Sequence, residues 1–146
     1  GYSNKREFYE FKNKFRRIMP ILNEAIRKKI PLKINLVKRK NKLVYPARDF
    51  VHIQDFLNII LKTIKKNISG FNIMNVGNGR LIYLDEIINI FEEKMSKKIS
   101  YKKKLNSIGN YNYTLSNNLK LRKVLKYNFQ FNLKDIIKSC IKKKII

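Results

Sequence analysis

The stretch Pro46-Ala47-Arg48-Asp49-Phe50-Val51-His52-Ile53-Gln54-Asp55-Phe56 constrains the fold most, because the chain changes its period inside it. A proline fixes its own φ and biases the preceding residue away from helix, so the backbone arrives extended. Phe50, Val51, His52 and Ile53 are aromatic or β-branched in the main and read as a short strand over 50–53. From Asp55 onward, Phe56, Ile59, Ile60, Thr63 and Ile64 recur at three- and four-residue steps, which predicts a helix over 55–67. An arginine at the mouth of such a strand-to-helix unit can offer an anion its planar fork of donors. On these residues alone, pairing of Arg48 with Asp49 or Asp55 is the simpler reading.

Before this stretch, Phe15, Ile18, Met19, Leu22, Ala25 and Ile26 mark one helical face. A helix over 20–29 follows, with Pro20 in its first turn, Lys28 and Lys29 at its negative end and Pro31 as its stop. Residues 1–10 are read as loop. Leu32, Ile34 and Leu36 alternate with Lys33 and Asn35, which predicts a strand over 32–36 with one buried face. Lys38 to Lys42 form a charged turn, and Leu43 to Tyr45 return as a strand.

Beyond the stretch, Phe71 to Val76 read as a buried strand entering Gly77-Asn78-Gly79. Two glycines after a strand invite a dinucleotide-loop reading, but Ile82 stands where a third glycine belongs, so a tight turn is preferred. A helix over 84–96 carries Asp85 and Glu86 in its first turn, where they offset the helix dipole. Residues 99–101 read as a short strand, and Lys102 to Lys104 with the polar run 106–112 as loop. Ser116 is the expected N-cap of a helix over 117–126, and Asn132 that of a last helix over 133–144 with Cys140 on its apolar side.

Arg48-Asp49-Phe50-Val51-His52-Ile53-Gln54-Asp55-Phe56 resembles the Arg-Asp-(Tyr/Phe)-(Ile/Val)-His-Val-x-Asp-Leu signature of the extended short-chain dehydrogenase/reductases, the nucleotide-sugar epimerases and dehydratases. Asn75-Val76-Gly77-Asn78-Gly79 and the closing pair of helices resemble later parts of the same family. The resemblance runs from about Ile18 to Lys138 and covers the family's C-terminal half, UDP-glucose 4-epimerase being closest in character. It implies an α/β fold: a substrate-binding lobe with one or two strands of the Rossmann sheet, the N-terminal Rossmann half being absent. Residues 1–146 are then a single partial domain that binds a nucleotide sugar.

The resemblance also implies the site. Arg48 matches the arginine that holds the diphosphate. Lys33, Ile34 and Asn35 lie where the family lays backbone and an aromatic ring against the base, with Asn35 in place of that ring. Arg17 replaces an asparagine that helps hold the diphosphate. The Arg-x-Gly-Asp element is degraded to Ser107-Ile108-Gly109-Asn110, with Asn110 at the aspartate. No catalytic residue is carried over. The family's NAD loop is absent, and none of the eight tyrosines has a lysine four residues on. NAD belongs to the parent family and is not expected to bind this chain alone; no metal site is expected, and His52 is read as structural. The implied partners are a nucleotide sugar, a UDP-sugar first, the missing Rossmann half, and a second copy in a dimer of the full-length parent.

Composition adds bounds. A chain of 146 residues has room for one core. No apolar run reaches the ~18–20 residues of a membrane span, and nothing at the start resembles a signal peptide. Cys140 is the single cysteine, so an intrachain disulfide is impossible and a cytoplasmic setting is expected. The first residue is Gly rather than Met, which points to a fragment or processed chain. The net charge of +24 suits nucleic acid. Lys, Asn and Ile are enriched together, however, as codon bias would have it, so scattered surface lysine is the expectation and nucleic acid is not. Two alternatives remain open: a basic nucleic-acid-binding domain, and a non-catalytic subunit completing another protein's site. A stripe of lysines on one face would favour the first.

Overall fold

The computed structural model describes residues 17–105 and 113–142. The expected loop over 1–10, the polar run 106–112 and the end of the last helix lie outside the described residues.

Helix α1 (Ile18–Lys28) begins two residues before the expected start. Pro20 therefore sits in the first turn, where a missing N–H costs no helical bond. Lys29 caps its far end in the left-handed conformation, φ 55°. Strand β1 (Leu32–Arg39) buries Leu32, Ile34 and Leu36 and exposes Lys33 and Asn35, as the alternation requires. It runs to Arg39, turns at Lys40 and Asn41, both at positive φ, and returns as β2 (Lys42–Val44) with Val37 opposite Val44. Positive φ at both turn residues is the two-residue hairpin geometry that matches strand twist.

Lys102 to Lys104, expected as loop, belong instead to strand β5 (Tyr101–Leu105), paired parallel to β1 with Leu32 opposite Tyr101 and Leu36 opposite Leu105. All five of its residues are exposed. Side-chain period could not mark a strand that buries neither face; backbone hydrogen bonds to β1 define it.

The order β2-β1-β5 makes one sheet, and three further strands make a second. Here β3 (Ala47–Arg48) pairs antiparallel with β4 (Ile82–Tyr83) and parallel with β6 (Tyr113–Thr114). All three strands of this second sheet have only two residues, below the length at which alternation can be read.

The strand expected over 50–53 is not formed. His52 is extended, and helix α2 (Ile53–Lys66) starts directly after it. His52 is its N-cap: Nδ1 accepts from the Gln54 N–H at 3.1 Å, and the ring stacks on Phe131 at 4.2 Å. The apolar character of 50–53 thus serves a helix cap and side-chain packing. The buried strand expected over 71–76 is also absent. The segment pairs with no described strand, and Phe71 and Ile73 are 90% and 68% exposed. Only Met74 and Val76, alternate positions, pack against apolar neighbours.

Helix α3 (Leu84–Met95) has Asp85 and Glu86 in its first turn as expected. Helix α4 (Leu119–Leu125) starts later than expected, with Asn118 rather than Ser116 before it. Ser116 is drawn elsewhere, its N–H donating to Asp49 at 3.1 Å. Helix α5 (Leu133–Lys142) has the reciprocal cap of a helix start: Asn132 Oδ1 accepts from the Asp135 N–H, and Asp135 Oδ2 accepts from the Asn132 N–H. Cys140 is buried, as its place on the apolar side requires.

The main core joins α1, β1, α3 and α5, with Leu22, Phe91 and Ile137 fully buried. A smaller cluster of Ile59, Leu121, Leu125 and Tyr127 joins α2 to α4.

Candidate functional site

The stretch from Arg48 to Asp55 turns out to be wiring with one cation at its start. Asp49 Oδ1 accepts from the Asn78 N–H at 2.9 Å, while Oδ2 accepts from Gly79 at 2.9 Å and Ser116 at 3.1 Å. The Gly77-Asn78-Gly79 turn is thus a cradle of backbone amides already filled by a carboxylate of its own chain, which removes the dinucleotide reading. Gly77 permits that approach, since a Cβ there would meet Ser116 Cβ and lie 2.6 Å from Asp49 Oδ2. Gly79, at φ +79°, supplies the left-handed residue of the turn. Asn118 closes it from behind, donating Nδ2 to the Gly77 carbonyl at 2.7 Å.

Asp55 is 0% exposed and takes hydrogen bonds from the Tyr127 hydroxyl at 2.7 Å and the N–H groups of Gln130 and Phe131. It staples α2 to the 127–131 turn. Burial, and then this bond to Asp55, push the Tyr127 hydroxyl above its ordinary pKa. Asp49 and Asp55 thus each accept from backbone or hydroxyl donors and tie loops and helices together.

Arg48 is half-buried in the middle strand of the second sheet, and its Nη1 donates to the Ala47 carbonyl at 2.7 Å. Arg17 is exposed just before α1. Lys33 and Asn35 share the exposed face of β1; the Ile34 side chain points the other way into the main core, 2% exposed, and has only backbone to offer a ligand. Arg48 and the β1 residues lie in different sheets. Asn110, with Ser107 and Gly109, lies outside the described residues.

Two aromatic–cation clusters escaped the sequence reading. Arg39, at the end of β1, donates to the Tyr83 hydroxyl at 3.0 Å and lies over the Tyr113 ring at 5.6 Å. It ties the first sheet to the second, because Tyr83 and Tyr113 both stand opposite Ala47. The Tyr45 and Tyr101 hydroxyls share a hydrogen bond of 3.4 Å, with the Lys103 ammonium 5.2 Å from the Tyr45 ring. The bond to Tyr45 raises both the Tyr101 hydroxyl and the Lys103 ammonium above their ordinary pKa values. A tyrosine held in this way is poorly suited to act as a base near neutral pH. The members of each cluster are far apart in sequence, so only strand register could have revealed them.

Two surface hollows, of about 370 and 500 Å³, are lined by residues of α1, α3 and the turn after α3; Arg48 and β1 line neither. In the second, Glu92 is already taken up by Lys98 at 2.7 Å and by the Ile99 N–H, and we place no site in either. Among the described residues no group of three His, Cys, Asp or Glu could hold a metal ion, and no helix is long and apolar enough to cross a membrane.

No protein-family model and no curated protein matches the sequence. Solved structures do. The UDP-Glc/GlcNAc 4-epimerase from Campylobacter jejuni matches at 19% identity with a TM-score of 0.78, over 91% of this chain and 42% of that chain. The UDP-glucose 4-epimerase from Bifidobacterium longum, in complex with NAD+ and UDP, matches at 17% identity and 0.73, over 86% and 38%. MoeE5, in complex with UDP-glucuronic acid and NAD, gives 18% and 0.73, over 86% and 40%. The chain spans about 40% of the length of these proteins. At such identities the likeness is one of architecture, and it is extensive: this chain has the α/β fold of the C-terminal portion of the UDP-sugar epimerase chains.

Proposed function

We propose that this chain is the nucleotide-sugar-binding portion of an NAD-dependent sugar-nucleotide epimerase or dehydratase, and that it is catalytically inert without the remaining portion. The observation that carries the reading is the coverage: nearly the whole chain superposes on about 40% of proteins solved with UDP, UDP-sugars and NAD. Arg48 is the diphosphate ligand, at the end of the middle strand of the second sheet and next to the wiring around Asp49. Lys33 and Asn35 offer side chains, and Ile34 its backbone, toward the base. Arg17 and Asn110 complete the set. UDP-sugars are the first ligands to try, and the setting is cytoplasmic.

The partner is a Rossmann-type portion that carries NAD, either on the same polypeptide or as a separate one, and the full-length parent forms a homodimer. The apolar face left open on α2 and the unpaired 71–76 segment support a partner on that side. Hydride transfer needs the cofactor, and proton transfer needs a tyrosine of lowered pKa; this chain contains the motif for neither.

Calorimetry with UDP and UDP-glucose tests the site. Weak binding is expected, and Arg48→Ala should lose about 1.5–3 kcal/mol as a charged hydrogen bond disappears. Unchanged binding by the variant would remove Arg48 from the site. Turnover of UDP-glucose or UDP-galactose with added NAD by this chain alone would overturn the claim of inertness.

A further inference from the structure

The positive charge is not spread as composition alone would spread it. Seven of the sixteen residues in β1, β2 and β5 are Lys or Arg, and none is Asp or Glu. Register then sorts these cations by face. Paired residues on neighbouring strands point to the same side of a sheet. Lys33 stands opposite Lys102, Asn35 opposite Lys104, and Arg39 opposite Lys42. All six are exposed, and they share the side away from Leu32, Ile34 and Leu36. Lys103, which has Asp85 nearby, lies on the opposite side. The exposed Leu43 and Leu105 also belong to that opposite side, being paired with Lys38 and Leu36.

From Lys33 to Arg39 this side of β1 runs about 20 Å, at ~3.3 Å per residue, and is divided by Val37, 3% exposed, into a patch of Lys33, Lys102, Asn35 and Lys104 and a second of Arg39 and Lys42. It ends on an aromatic platform. Tyr113 is 51% exposed, and its ring has the Arg39 guanidinium near it. A row of ammonium groups beside an exposed tyrosine is what a single strand of nucleic acid requires: cations along the phosphates and a ring for a base to stack on. A phospholipid surface would want apolar side chains next to the cations, and here the exposed leucines face away.

We infer that the exposed face of the β2-β1-β5 sheet, with Tyr113 at its end, binds single-stranded nucleic acid without sequence preference. The inference stands apart from the nucleotide-sugar reading and shares only Lys33 and Asn35 with it.

Fluorescence anisotropy of the full chain with a labelled 20-nucleotide oligo(dT) tests it across a salt series. At ~0.7 per phosphate for single strands, the log–log salt slope should fall between about −3 and −4. Combined Lys33→Gln, Lys102→Gln and Lys104→Gln should weaken binding at least tenfold and make the slope shallower by about 2. Lys65→Gln, Lys66→Gln and Lys123→Gln together remove the same charge from exposed helix positions and should cost less than threefold. Tyr113→Ala should cost at least fivefold, the low end of what one stacked base contributes. Arg48→Ala should leave oligo(dT) binding intact while weakening UDP binding at least tenfold, which separates the two readings.

Equal losses from the two lysine triplets would overturn the inference, because net charge alone would then explain binding. Binding to a 20-base-pair duplex as tight as to the single strand would also overturn it. So would binding to phosphatidylserine vesicles that outcompetes oligo(dT). Should the first triplet fail to fold by circular dichroism, hydrogen exchange on the unaltered chain decides: oligo(dT) must slow exchange in β1 and β5 and leave α2 unchanged.

Discussion

The two cores of this molecule are built to different degrees of completion. The larger closes on itself: among the described residues, sixteen buried apolar side chains from α1, β1, α3, α5 and their connections enclose one another. The smaller holds four, and the helix that should dominate it buries only Asp55 and Ile59. Ile53, Leu57, Ile60, Leu61 and Ile64 form a stripe along α2 that stays 41–70% exposed, with Phe71 and Ile73 exposed beside it in the sequence. The sequence pattern of α2 is that of a buried helix, yet among the described residues much of its apolar face stays exposed. Polar bonds hold this side instead, through Asp55, Asp49 and Asn118.

The largest expected effect is in the complete core. Phe91 is 0% exposed, and Phe91→Ala should cost about 3–5 kcal/mol, a large part of an ordinary domain's stability. Urea unfolding would measure it, and a loss under 1 kcal/mol would mean that the core is looser than its burial implies.

Asp55→Ala comes next. It leaves the Tyr127 hydroxyl and two backbone N–H groups without their acceptor, and about 3 kcal/mol is expected. The two variants should differ in kind. Hydrogen exchange should accelerate everywhere in Phe91→Ala and chiefly in α2, α4 and 127–131 in Asp55→Ala. Uniform acceleration in both would make the two cores one cooperative unit.

Third is Gly77→Ala. Its Cβ would have to displace Ser116 or Asp49, so the cradle opens or the strand ends shift, at about 1–3 kcal/mol. The same substitution at Gly70, whose Cβ would meet nothing within 4 Å, carries only the strain of φ +72° and should cost less. Thermal melts of the pair rank the two.

What could be read from the sequence follows the same division. In the complete core, one-sided burial leaves a period, so α1, β1, α3 and α5 were legible from their apolar spacing. Strand β5 was not, because it buries neither face, nor were the two-residue strands of the second sheet. The strand expected over 71–76 has the right residues and, among the described residues, no neighbouring strand to bond with. The Arg48–Asp55 motif was legible as important, but its spacing could not say that Asp49, His52 and Asp55 serve as an amide acceptor, a cap and a staple. Arg48 could be singled out early. The Arg39–Tyr83–Tyr113 group could not, since its members lie on three separate strands.

A smaller effect separates the regions by pH. Glu92 of α3 accepts from the Ile99 N–H at 2.8 Å and pairs with Lys98 at 2.7 Å, and these bonds hold its carboxyl below the ordinary 4.5. A carboxyl depressed in the folded state contributes stability above its unfolded pKa and loses it as pH falls through the folded value. The larger core should therefore weaken below about pH 4.5, and Glu92→Gln should flatten that part of the stability–pH curve. An unchanged curve would show that this turn is already open when the chain unfolds.

The smallest effect on stability should come from the most apolar surface. Leu57→Gln, Leu61→Gln and Ile64→Gln change side chains that are 44%, 55% and 70% exposed, so each should shift unfolding by no more than about 0.5 kcal/mol. Their effect on association should be large, since an apolar patch of this kind binds hydrophobic dye and other chains. Dye fluorescence and sedimentation of the triple variant would show both together. A melt lowered by 10 °C would mean that α2 is already covered within this chain, and the contrast between the two cores would fail. An unchanged melt with lost dye binding would leave α2 as a finished helix on an unfinished core, its missing neighbour still to be supplied.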